Sequence, residues 1–185
     1  FLQRTFTSLV HAHAGRTQAH VVGLVFRCAP NQPQMRALYE RKIMSIEQEF
    51  SEYQDIWDDC NLGYVICENK SGLSGLPAIN EIISKNARFN SYKSGISQRI
   101  ENEAQRLFFE MTNEAISMSY GDHRQLSDDE LYRLFYSFIR SVGDGEFFTN
   151  FSDDGWFSLT KHTRDSLFCL VGKEKIGMWF SYDDE

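Results

Sequence analysis

The forty residues from Gly143 to Tyr182 constrain the fold of this chain most. Between Pro33 and Val142 the apolar residues recur mainly at helical spacing. After Val142 they gather in short runs dense in aromatic side chains: Phe147, Phe148, Phe151, Trp156, Phe157, Phe168, Trp179, Phe180 and Tyr182. Gly143-Asp-Gly145, Asp153-Asp-Gly155 and Gly172-Lys-Glu-Lys175 cut those runs. Short aromatic and β-branched runs bounded by Gly and Asp read as strands. The predicted architecture is α+β: two or three long amphipathic helices packed on a small, mostly antiparallel sheet that closes in a C-terminal β-meander. A chain of 185 residues can bury such a core in one domain, expected over residues 1–185 with 1–18 as a loosely ordered N-terminal helix or arm.

Several elements are predicted individually. Residues 1–14 are compatible with a helix stopped at Gly15, and Ala19 to Cys28 reads as a strand. From Pro33 to Asp59, Met35, Tyr39, Ile43, Ile46, Phe50, Tyr53 and Trp57 recur at steps of three and four, which predicts one helix of about seven turns with an acidic back. Leu62 to Cys67 is a short strand, Asn69 to Pro77 a loop, and Pro77 to Ala87 a short helix. Ser94 to Tyr120 reads as a long helix with Ile96, Ile100, Ala104, Leu107, Met111, Ala115 and Met118 on one side. Ser127-Asp-Asp-Glu130 is a capping box that opens the next helix, whose apolar face runs from Leu131 to Val142. In the tail, strands are expected at Gly155 to Lys161, Ser166 to Val171 and Ile176 to Tyr182, with Glu146 to Asn150 as an edge strand and Gly172 to Lys175 as a hairpin turn.

No apolar run approaches the roughly 20 residues that cross a bilayer, and the opening lacks the order of a signal peptide. The cysteines Cys28, Cys60, Cys67 and Cys169 form no short-loop framework, which fits a reduced, cytoplasmic protein with mostly buried thiols. Asn69-Lys-Ser71 and Asn150-Phe-Ser152 match the glycosylation pattern at a rate expected by chance.

Candidate chemistry is sparse. His11-Ala-His13 could direct two imidazoles at one metal from a strand end, the basis of a metal-assisted hydrolase, but no further His or Asp spacing completes a ligand set. Cys28 could serve as a nucleophile only with a distant base. Asp153-Asp-Gly155-Trp156 with Asp144 and Glu146 offers carboxylates near a turn, without calcium-loop spacing. Ser71-Gly-Leu-Ser-Gly-Leu-Pro77 resembles a phosphate cradle only in its glycines. No cofactor follows from any of these.

Charge is more informative. The chain carries a formal net charge of −7, unevenly placed. No acidic residue precedes Glu40, whereas Glu47, Glu49, Glu52, Asp55, Asp58 and Asp59 occur with no Lys or Arg between them. Four arginines spread over the first 36 residues make a thin patch for nucleic acid, and the remaining surface repels phosphate. An acidic face beside aromatic anchors suits a basic protein partner, because opposite charge speeds encounter and aromatic rings supply desolvated area. The expectation is a small binding protein of the immunity, antitoxin or inhibitor kind. It would occlude its partner with Glu47, Glu49, Glu52, Asp55, Asp58 and Asp59, or with Asp153, Asp154 and Trp156. Two alternatives are the hydrolase built on His11 and His13, and a fragment or subunit of a larger assembly.

Overall fold

The computed structural model describes residues 44–84, 95–119 and 121–183, all within one compact unit, Asn31–Glu185, with 155 and 156 described by their backbone. The sequence expectations for 1–14, 19–28, His11, His13 and Cys28 lie outside the described residues.

The first described elements differ from the expected seven-turn helix. Helix α1 spans Ile46–Ser51 and α2 spans Gln54–Asp59. Ser45 is extended (φ −66°, ψ 158°) and closes a capping box with Gln48, so no helix runs through it from Pro33. The second interruption has a local cause. In an unbroken helix the Phe50 carbonyl accepts the N–H of residue 54. Here it accepts the Tyr53 N–H at 3.2 Å and the Trp57 indole N–H at 2.7 Å.

Strand β1 covers Leu62–Glu68, and helix α3, Gly75–Ser84, starts two residues before Pro77. Residues 97–99, expected to be helical, form the short strand β2, and helix α4 begins only at Glu101 and ends at Ser117. Ile100 is therefore an extended helix cap, 72% exposed, and not part of an apolar face. Helix α5, Asp128–Val142, opens as its sequence predicts: the Glu130 carboxylate accepts from the Ser127 N–H at 2.8 Å and from its hydroxyl at 2.7 Å.

Five strands make one antiparallel sheet in the order β1-β7-β6-β3-β2, where β3 is Gly145–Thr149, β6 is Arg164–Gly172 and β7 is Lys175–Asp183. The expected edge strand β3 is interior, because β2 pairs along its outer side through Gln98 and Phe148. The expected strand from Gly155 to Lys161 reduces to a two-residue pair, β4 (Phe151–Ser152) with β5 (Gly155–Trp156). The irregular run beyond it is anchored by the buried Asp165 carboxylate, which accepts from the N–H groups of Leu159 at 2.8 Å and Thr160 at 2.7 Å.

The sheet is covered on both faces. Phe168, Leu170 and Trp179 join one cluster with α1, α2, α4 and α5, while Leu167, Cys169, Val171, Met178 and Phe180 join a second with α3. Alternation at period two along β6 thus gives each layer its share, and burial of each large side chain contributes roughly 2 kcal/mol. Close approach is needed at two glycines. At Gly177 on β7 a Cβ would fall 2.5 Å from Val142 Cγ2 and 2.6 Å from Phe138 Cζ, so α5 rests directly on the strand there. At Gly145 a Cβ would collide with the Val171 carbonyl of the paired strand. That second neighbour is backbone and cannot turn aside, so Gly145→Ala should lower unfolding free energy by about 2–3 kcal/mol in urea titration. A loss under about 0.5 kcal/mol would mean that β3 and β6 are not in the register Gly145 with Gly172.

Among the described residues no helix is long and apolar enough to cross a membrane. Cys60 and Cys169 are buried free thiols and Cys67 is half-buried. Asn69 and Asn150, the two matches to the glycosylation pattern, are 7% and 1% exposed and spend their amides inside the fold, so neither is an accessible acceptor.

Candidate functional site

The acidic run of the sequence folds into the α1–α2 corner, and packing divides it. Glu47, Asp55 and Asp58 are exposed, and no Lys, Arg or His of the described residues pairs with them; Asp58 accepts only the Gln54 amide, at 2.7 Å. Glu49, expected on the same face, is instead fully buried. Helix α1 lies against α5, and the inward position of residue 49 brings its Oε2 to 3.1 Å from Arg133 Nη1. Neither Glu49 oxygen has a donor in hydrogen-bond geometry. Burial pushes its carboxyl above the ordinary carboxylate range, and Arg133 offsets part of that rise.

Arg133 joins a larger fastening. It reaches Glu52 at 3.2 Å and donates to the Tyr53 hydroxyl at 2.9 Å. Burial pushes the Tyr53 phenol up to about 12, so it stays protonated and donates to Glu130 at 3.3 Å. Glu130 in turn takes two bonds from Arg124, at 2.6 and 2.9 Å, and these hold its carboxyl down at about 2. Glu52 is therefore exposed but already compensated. Asp59 is likewise exposed and sits 2.6 Å from His123 Nε2.

The second expected patch is also partly neutralised. Asp153 lies 2.6 Å from Arg106, which is shared with Glu110 at 2.9 Å. Asp154 is exposed, and its N–H donates to Ser152 Oγ at 3.3 Å, the local bonding of a tight turn. Trp156 is placed by its backbone opposite Phe151. Glu146 is tied elsewhere, accepting from Gly75 N–H at 3.3 Å and the Gln98 amide at 3.2 Å. Its carboxylate occupies the start of α3, where a phosphate cradle would need an open N-terminus, so the glycine loop does not present one. Among the described residues no three His, Cys, Asp or Glu side chains come together to hold a metal ion.

Of the acidic run, Glu47, Asp55 and Asp58 remain without a counter-charge among the described residues. Their surroundings reinforce them. Residues 44–84, 95–119 and 121–183 contain ten Lys and Arg against 23 Asp and Glu, a net of −13. The described residues are thus more negative than the whole chain, whose net charge is −7. Local sequence marks neither Arg133 nor His123 as the partner of an acid, because their carboxylates lie 84 and 64 residues away. The chain matches no protein-family model, no curated protein sequence and no solved structure.

Proposed function

We propose that this chain is a small acidic binding protein of the cytoplasm that covers a basic surface on a protein partner, in the manner of an immunity protein, an antitoxin or an inhibitor. The supporting observation lies on α1 and α2: Glu47, Asp55 and Asp58 stay exposed without a counter-charge among the described residues, which together carry a net charge of −13. Where the fold pairs its own acids with arginines, as at Glu49, Glu52 and Asp153, those acids have little left to offer a protein partner, and Asp59 is turned to His123. The reading therefore narrows from the whole acidic run to three carboxylates. Association would be steered by the negative field and would occlude a cationic site sterically, with no chemistry asked of the binder.

Affinity capture from source-cell lysate at about 50 mM salt, followed by elution at about 500 mM, tests this directly. One basic protein should be retained near stoichiometrically and released by the salt step. The variant Glu47→Lys/Asp55→Lys/Asp58→Lys should bind that protein at least about 100-fold more weakly, since each reversed contact costs on the order of 1 kcal/mol. Circular dichroism should show the variant folded, because all three side chains are exposed. Equal binding by the variant, or no basic protein captured, would refute the proposal.

A further inference from the structure

Arg164 is the most buried arginine among the described residues and the one whose charge is least accounted for. It opens β6, is 3% exposed, and its Nε and Nη1 have no hydrogen-bond partner. By contrast, Arg99, Arg106, Arg124 and Arg133 each hold a carboxylate at 3.5 Å or closer. An arginine cannot shed its proton to escape burial, so two unsatisfied guanidinium nitrogens call for an acceptor that the described residues do not provide.

Arg164 lines a cleft of about 310 Å³ formed with Asp59, Cys60, Asn61, Ser119, Tyr182 and Asp183. At a share of about 30 Å³ per water, that is room for a molecule on the order of ten heavy atoms. The walls are well fixed. Asn61 takes a left-handed turn (φ 47°) between α2 and β1, and Asp59 is held by His123 at 2.6 Å. Gly121 packs so closely on that pair that a Cβ would strike both side chains. Ser181 donates to the Cys60 carbonyl at 3.2 Å, tying the α2 end to β7. Burial pushes the Cys60 thiol up to about 11, so it remains protonated and supplies no nucleophile.

The charges that face Arg164 decide what kind of ligand fits. Asp183 stands opposite it in the β6–β7 register, Asp59 closes the same cleft, and Glu114 on α4 is near enough for Arg164 to pull its carboxyl down against the effect of burial. A bare anion would meet the repulsion of these carboxylates, and a bare cation would meet Arg164. We propose that the cleft binds a small zwitterion of the amino-acid type, its carboxylate accepting from Arg164 and its ammonium group facing Asp183 and Asp59. The assignment is separate from the partner-binding edge and stands or falls without it.

Thermal unfolding of the purified protein against each of the twenty amino acids, propionate and inorganic phosphate, at matched ionic strength, tests the site. At least one amino acid, at about 100-fold its Kd, should raise Tm by about 5 °C or more. Arg164→Met should abolish that rise in a variant that circular dichroism shows to be folded. Should that variant not fold, Arg164→Lys keeps the charge without the planar fork and should weaken binding at least tenfold. Asp183→Asn should weaken the amino acid tenfold and leave any propionate response unchanged. No shift of wild-type Tm with any amino acid overturns the proposal. So does a shift that survives loss of Arg164, or an Arg164-dependent shift produced by phosphate alone.

Discussion

Trp179→Ala should lower the free energy of unfolding by about 4 kcal/mol, the largest loss expected from any single substitution in this chain. Trp179 is fully buried on β7, and its ring lies 5.0 to 6.3 Å, centre to centre, from those of Phe50, Trp57, Tyr64, Phe108 and Phe138. Those rings come from α1, α2, β1, α4 and α5, so one side chain ties each described helix of that face to the sheet. Truncation removes transfer energy and leaves a cavity walled by rigid aromatic rings that cannot collapse into it. The indole Nε1 has no acceptor, a cost that the native protein already bears. Trp179→Phe relieves that cost while leaving a smaller void, so its loss should be only about 1–2 kcal/mol. Urea unfolding monitored by far-ultraviolet circular dichroism gives both values. A loss below about 2 kcal/mol for Trp179→Ala would mean that the ring cluster is not packed as described.

Arg133→Ala should be the next most damaging change, at about 3 kcal/mol near neutral pH, and its cost should depend on pH. The substitution strands the fully buried Glu49 carboxylate without its counter-charge, and breaking such a pair from one side costs far more than the pair itself is worth. The pH dependence follows from Glu49. Its folded-state carboxyl already sits above the ordinary value because of burial, with Arg133 opposing the rise. A raised carboxyl contributes stability below its unfolded value, near 4.3, and that contribution is lost as pH rises through the folded value. Removing Arg133 widens the gap. The difference between variant and wild type should therefore grow from pH 5 to pH 8, whereas carboxylates remote from residue 49 cancel in the subtraction. A loss that shrinks over that range would contradict the burial of Glu49.

Several parts of the fold were legible because their signals are local. The Ser127–Glu130 capping box, the apolar face of α5, the turn at Gly172 to Lys175 and the strands on either side of it all depend on residues close in sequence. The errors are local in another sense. Ser94 to Ile100 continues a helical apolar pattern, but the backbone groups of residues 97–99 pair with β3, and tertiary pairing overrides spacing. The single helix expected through Asp59 breaks where Phe50 gives its carbonyl to the Trp57 indole, a bond that periodicity does not record.

The candidate site was legible as composition and not as arrangement. The run from Glu47 to Asp59 announces an acidic surface, and its chemistry is independent of the fold. Which of its members face water depends on α1 packing against α5, and which remain uncompensated depends on Arg133 and His123, far along the chain. The cleft was not legible at all, because an arginine at the start of a strand looks the same whether it ends in solvent or is buried. The sequence by itself determined the α+β class, the C-terminal antiparallel strands and an acidic body, since hydrophobic period, turn residues and charge are properties of neighbouring positions. Only the tertiary structure decided that Glu49 is buried, that Glu47, Asp55 and Asp58 have no counter-charge among the described residues, and that two nitrogens of Arg164 go unsatisfied there. Burial and pairing are set by distances in space, and the residues concerned are brought together by helices and strands that meet only after folding.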